Sequence, residues 1–156
     1  MRSVKSLKGL ANRINDWLES NPIYSLLADQ FGFRRARSTI DALCRARECT
    51  SSITREGGHA IAVGIDIQNA FNSVSWCITL KAIKDKCIPA YIRRVVSCYL
   101  SHRSIMYRNS QGSVVERAVR AGVPQRSVLG PLLWNIAFDS VLRLRKDDGC
   151  FICYAR

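Results

Sequence analysis

Apolar positions recur along most of this chain with the period of an amphipathic helix, and two stretches break that rule. Between Val4 and Leu18 the apolar residues Val4, Leu7, Leu10, Ala11, Ile14, Trp17 and Leu18 fall on one helical face, with Arg and Lys on the other. After a loop containing Asn21-Pro22, Ser38 has the chemistry of an N-cap, and Ile40, Leu43, Cys44 and Arg47 continue a second helix that stops near Gly57-Gly58. Two more helices are predicted over Ser75 to Lys86 and Ala90 to Leu100, separated by Ile88-Pro89, with Ile92, Val95, Val96 and Tyr99 as the inward stripe of the second. Arg103 to Arg108 and Ser113 to Val119 flank an Asn-Ser-Gln-Gly turn and predict a hairpin. The loop Arg120 to Arg126 leads to a helix opened by Gly130-Pro131, with Leu133, Ala137, Val141 and Leu144 along one side. The two stretches that break the period are Ala60 to Ile67 and Cys150 to Ala155, both nearly all apolar, which predicts strands. The expected class is α+β, with helices packed on one face of a small antiparallel sheet.

The first of these apolar runs contains a carboxylate, Asp66. A charge inside a buried strand costs several kcal/mol unless something compensates it. Three explanations stand open: a metal ligand, a partner for a buried arginine, or a position at a strand end already in water.

Charge narrows the choice of partner. The 156 residues carry 24 Lys plus Arg against 12 Asp plus Glu, a formal net charge of +12, which favours a polyanion through phosphate neutralisation and counterion release. No apolar run approaches the roughly 20 residues needed to cross a bilayer, and MRSVKSLKGLANR lacks a signal-peptide core, so no membrane and an intracellular location, nucleus or cytoplasm, are expected. Hydropathy is ordinary for one globular domain, at 47% hydrophobic residues. The seven cysteines are scattered singly, which suits reduced thiols, and strand alternation would put Cys150 and Cys153 on opposite faces rather than around one metal. There is no GxSxG elbow, and His59 and His102 have no nucleophile beside them, which argues against a hydrolase.

Three segments, in order, carry a resemblance. Asp66-Ile67-Gln68-Asn69-Ala70-Phe71 resembles motif A of reverse transcriptases. Gln30-Phe31-Gly32-Phe33-Arg34-Arg35-Ala36-Arg37-Ser38-Thr39 resembles the fingers motif QxGFRxGRST of the non-LTR retrotransposon enzymes, and Ala121 to Asn135 resembles their motif B, GVPQGSVLGPLLWN. The wording Ala-Phe-Asn-Ser-Val and Gly-Pro-Leu-Leu-Trp-Asn points to the jockey-like, arthropod-type elements. The resemblance implies part of a right-hand polymerase, with residues 1–58 fingers-like and 59–156 mainly palm-like. It implies RNA-templated DNA synthesis by two-metal nucleotidyl transfer, with Mg²⁺ as cofactor and an RNA template, a DNA primer and deoxynucleoside triphosphates as partners. In these roles Asp66 is the catalytic metal ligand, Ile67 a backbone contact to the triphosphate, Phe71 the gate against a ribose 2′-hydroxyl and Gln125 a nucleotide-pocket residue. Arg34, Arg35 and Arg37 would grip nucleic-acid phosphates, by bidentate hydrogen bonds as well as charge.

Several positions depart from the family pattern. Arg156 stands where the family's Tyr-Ala-Asp-Asp hairpin has its first aspartate, so the chain is expected to be a fragment with its activity lost. Asp147-Asp148 reads as a polar turn and Asp139 as a structural helix residue. Arg126 replaces a motif B glycine whose backbone angles bar a side chain, and Ala36 replaces a fingers glycine. The alternative expectation is a non-catalytic, basic nucleic-acid-binding remnant. An exposed apolar sheet edge would make either form marginally stable.

Overall fold

The computed structural model describes residues 2–101, 103–124, 126–144 and 150–154. The expectations placed on His102, Gln125, Asp147-Asp148, Ala155 and Arg156 lie outside the described residues.

Among the described residues six helices and four short strands follow one another: α1 (Arg2–Ser20), β1 (Gln30–Phe31), α2 (Thr39–Arg55), α3 (Ala70–Ser73), α4 (Trp76–Asp85), α5 (Ala90–Leu100), β2 (Ser104–Arg108), β3 (Val114–Ala118), α6 (Gly130–Leu142) and β4 (Cys153–Tyr154). A single 3-10 turn, Pro22–Tyr24, follows α1. Local chemistry explains the starts. Ser38 caps α2 through a reciprocal box, its hydroxyl accepting from Asp41 N at 3.2 Å while Asp41 Oδ2 accepts from Ser38 N at 2.6 Å. Pro131 opens α6, where its missing N–H has no helical partner to lose.

The core is made by helices closing on one another. Leu10, Ile14 and Leu18 of α1 meet Ile83 of α4, Ile92, Val96 and Leu100 of α5, and Leu132, Leu133 and Ile136 of α6 in one apolar cluster. α6 packs on α3 and α4, and α4 on α5. Each fully buried aliphatic side chain in such a cluster contributes about 1.5–3 kcal/mol over its exposed state.

This arrangement corrects the expected sheet. The strand pair in the body is parallel, with Gln30 opposite Cys153 and Phe31 opposite Tyr154. The antiparallel pair, β2 and β3, lies at the surface with both strands exposed. The antiparallel pair is no platform for the helices and the parallel pair takes only α2, whose Ile40 and Leu43 are exposed, while α1, α4, α5 and α6 close their apolar faces on each other. α6 is the clearest case: Leu132, Leu133, Trp134, Asn135, Ile136, Ala137 and Asp139 are all buried, so it is a central helix, while Val141 and Leu144 of the expected stripe are exposed. Ile92 and Val96 face inward as expected, joined by Leu100, and Val95 is exposed.

The second correction concerns sulfur. Cys49 and Cys150, 101 positions apart, form a disulfide that ties α2 to the segment ahead of β4. Spacing along a chain cannot show a pair that only the packing of α2 against β4 brings together. Cys44, Cys77, Cys87, Cys98 and Cys153 are free, and burial pushes the Cys153 thiol up to about 11. Among the described residues no helix is long and apolar enough to cross a membrane.

Beneath the core surface lies a charged network. Asp139 Oδ2 accepts from Lys86 Nζ at 2.6 Å and from Arg143 Nε at 2.7 Å, while its Oδ1 accepts from Leu27 N at 2.7 Å. The side chains of Lys86 and Asp139 are 8% and 1% exposed. Burial alone would raise the Asp139 carboxyl, and the hydrogen bonds from Lys86, Arg143 and Leu27 outweigh it and hold it below the usual range. Burial lowers Lys86, and Asp139 only partly restores it. Lys86 Nζ also donates to Tyr24 O at 3.1 Å, so the network pins the turn after α1 to α4 and α6. The structural reading of Asp139 stands.

Candidate functional site

The segment 59–69 is the clearest departure from expectation. Ala60 to Ile67 forms no strand and pairs with nothing among the described residues. Ile61, Val63 and Ile65 are 89%, 78% and 79% exposed. Asp66 is exposed as well. Its charge needs no buried partner here, because the carboxylate is in water. A strand needs a ladder and a covered face, and this run has neither.

Beyond Asp66 the chain turns at Asn69, whose φ of 52° is the left-handed conformation that a short polar side chain tolerates, and enters α3. This places Phe71 at the edge of the core in a row of rings. Phe33 meets Phe71 edge-on at 6.0 Å, Phe71 meets Trp134 at 5.9 Å, and Trp134 stacks on Phe138 at 4.7 Å. The row ties together the three segments singled out in the sequence. Asp66, Ile67, Phe71 and Trp134 line a cleft of about 860 Å³ whose other wall is Cys150 to Tyr154.

Backbone bonds fasten α3 to the segment that precedes α6. Val123 N donates to Phe71 O at 2.8 Å and Gly122 N to Val74 O at 2.7 Å, while Trp76 Nε1 donates to Gly122 O at 2.7 Å. Gly122 has φ +83°, and a Cβ there would lie 2.7 Å from Asn72 O, so only glycine fits. Downstream, Arg126 has φ 58°, as expected where the family pattern has glycine, and Ala36 has φ 52° at the other such position. The Arg126 side chain is exposed.

The arginines of the turn after β1 are engaged within the fold. Arg34 Nη1 donates to Leu27 O at 2.6 Å and Gln30 O at 2.9 Å, and burial, with Arg37 nearby, lowers its pKa. Arg35 pairs with Asp16 at 3.1 Å, and Arg37 donates to Ala28 O at 2.7 Å with its guanidinium 5.3 Å from the Phe31 ring centre. None of the three lines the cleft. The structure thus brings Asp66, Ile67 and Phe71 together and leaves Arg34, Arg35 and Arg37 outside.

One pair of site-supporting residues had no role in the sequence reading. Gln30, fully buried, donates through Nε2 to Asn135 O at 3.0 Å, and Asn135 Nδ2 donates to Gly32 O at 3.1 Å. These amides bolt the turn after β1 onto α6. Two buried amides 105 positions apart leave no local pattern, although both lie within the quoted motifs.

A divalent ion of the Mg²⁺ kind takes six oxygens in near-octahedral order. Among the described residues Asp66 is the only carboxylate on the cleft, and no group of three His, Cys, Asp or Glu side chains converges. One exposed carboxylate does not make such a centre.

Comparison with known proteins adds identity to this geometry. A family model described as "Reverse transcriptase (RNA-dependent DNA polymerase)" matches residues 2–155. Among curated proteins of Drosophila melanogaster, the "Probable RNA-directed DNA polymerase from transposon BS" is 38% identical over 127 residues, 81% of this chain and 14% of that protein. The "Probable RNA-directed DNA polymerase from transposon X-element" is 35% identical over 105 residues, 67% of this chain and 12% of the relative. The "RNA-directed DNA polymerase from mobile element jockey" is 31% identical over 107 residues, 69% of this chain and 12% of the relative. The chain therefore spans a small part of the length of the relatives it matches.

Proposed function

This chain belongs to the reverse transcriptases, of the kind carried by non-LTR retrotransposons, and from that premise we propose that it supplies the nucleotide-facing part of an RNA-templated DNA polymerase. In the reaction a primer 3′-hydroxyl attacks the α-phosphorus of a deoxynucleoside triphosphate and pyrophosphate leaves. The observation that carries the reading is the backbone bond from Val123 N to Phe71 O at 2.8 Å, which sets the two motif segments side by side next to the cleft that Phe71 and Trp134 line.

In this reading residues 1–58 are fingers-like and 59–156 mainly palm-like. Phe71 closes the cleft floor where a ribose 2′-hydroxyl would sit, its ring held by Phe33 and Trp134. The Ile67 backbone lies beside it for the triphosphate, and Gln125 follows the fastened Gly122-Val123 step. Arg34 braces the turn, and Arg35 and Arg37 stand at the surface for template RNA or primer DNA once their internal partners give way. Reverse transcriptases use divalent metal ions. Asp66 would be one Mg²⁺ ligand among several, and because it does not complete a site, the role assigned to the chain's own residues is to bind and orient.

The test is primer extension on an RNA template with Mg²⁺ and deoxynucleotides. Extension that Asp66→Asn abolishes, and that Phe71→Val opens to ribonucleotides, supports the reading. A second reading, a nucleic-acid-binding remnant without catalysis, is favoured by the solitary Asp66 carboxylate; it predicts RNA binding that weakens steeply with salt and no extension. A chain that neither extends a primer nor binds RNA sinks both.

A further inference from the structure

The β2–β3 hairpin takes no part in the apolar cluster that holds the helices together, and none of its residues lines the Asp66 cleft. All five residues of β2 are exposed, and in β3 only Val115 is half-buried. A two-stranded ribbon with both faces in water is marginal by itself. Its side chains are therefore available to something else.

The register defines what each face offers. Ile105 is opposite Arg117 and Tyr107 opposite Val115; Met106 is opposite Glu116 and Arg108 opposite Val114. Alternation puts Ile105, Tyr107, Val115 and Arg117 on one face and Met106, Arg108, Val114 and Glu116 on the other, with Arg117 diagonal to Tyr107 and within reach of its ring. Tyr107 is 47% exposed. Between positions 103 and 120 there are four arginines and a single acid, Glu116. Among the described residues none of these four arginines is in an ion pair.

We propose that this hairpin is a nucleic-acid contact separate from the cleft, taking a single-stranded polynucleotide whose bases stack on Tyr107 and whose phosphates meet Arg117. An open aromatic face beside unpaired guanidinium groups suits exposed bases strung on a phosphate backbone. A duplex keeps its bases stacked on each other and offers none to the ring. A second copy of the hairpin would bring like charges together. A lipid surface needs a broad apolar face, and here only Ile105, Tyr107 and the half-buried Val115 share one, beside Arg117, while Met106 points the other way.

The test uses the full chain and labelled oligouridine and oligothymidine of about 15 nucleotides, read by fluorescence anisotropy. RNA and DNA arms show which backbone is preferred; a duplex and vesicles of anionic phospholipid serve as competitors. Tyr107→Ala and Tyr107→Leu are each expected to weaken binding about tenfold, and Tyr107→Phe to stay within about twofold. Arg117→Ala is expected to reduce the slope of log affinity against log salt by roughly 0.7. Each of these side chains is exposed, so melting temperatures should match the parent, and the Leu variant keeps apolar bulk if Ala loosens the hairpin. Parent-like binding by both the Tyr107→Leu and Arg117→Ala variants overturns the proposal, as does an equal loss in Tyr107→Phe. So does competition by vesicles or duplex that matches that of single strands. None of these measurements requires primer extension, so failure of the polymerase reading leaves this one standing, and the reverse.

Discussion

Asp139 and Asp66 are both carboxylates in apolar surroundings by sequence, and the molecule treats them in opposite ways. Around Asp139 the ends of α4 and α6 and the loop after α1 close, and three hydrogen-bond donors from Lys86, Arg143 and Leu27 replace the water that the group has lost. Around Asp66 nothing closes: the segment 59–69 has no ladder, its isoleucines are in solvent, and the carboxylate keeps its hydration. A buried charge has to be matched locally because an unmatched one is too costly to fold around. An exposed charge carries no such demand and remains free to meet something from outside. Stability therefore resides in the helical body, and the chemistry proposed for this chain is assigned to the cleft beside it.

The sharpest way to break that comparison is to remove each acid in turn. Asp139→Ala strands Lys86 in the core and is expected to cost about 3–5 kcal/mol in urea unfolding, while Asp66→Asn should stay within about 0.5 kcal/mol. Equal losses would mean that the cleft is part of the stabilising framework. Glycines give the next contrast. Gly122→Ala puts a Cβ against Asn72 O at a left-handed φ and is expected to cost more than about 2 kcal/mol, whereas Gly64→Ala, with open space around it, should be near neutral by thermal melting.

A smaller effect of opposite sign is expected at Arg126. Relieving its φ of 58° with Arg126→Gly should raise stability by roughly 1 kcal/mol, and an unchanged midpoint would show that the turn is not strained. The smallest effect is a matter of pH. Because the folded-state pKa of Asp139 is depressed, its contribution is present above the usual carboxylate range and is lost as pH falls through the lower folded value. Stability in acid should therefore drop more steeply for the parent than for Asp139→Asn, and a parallel pair of curves would contradict the network.

Much of the helical body was legible because its signals are local. The stripe of α1, the Ser38 cap of α2, the Pro89 and Pro131 punctuation and the Asn-Ser-Gln-Gly turn each act over a few residues, and each reappears in the structure. The cleft was legible only in part. Phe71, read from the resemblance as a gate, stands on the cleft wall and is also packed in the ring row. The three arginines of the turn after β1 read as a grip on phosphate, but within the fold they hold Leu27, Asp16 and Ala28. A guanidinium's identity says nothing about which acceptor reaches it first.

What the amino-acid sequence determined by itself is the five longer helices and the breaks between them, the basic charge and the motif order that marks the family, since all of these depend on residue type and short spacing. Tertiary structure alone decided that α6 lies at the centre, that β1 pairs with β4 in parallel, that Cys49 reaches Cys150, and that the Asp66 segment forms no strand. The physical reason is that burial and pairing belong to two surfaces at once, and a run such as Ala60 to Ile67 carries a strand's composition without carrying the partner that would make it one.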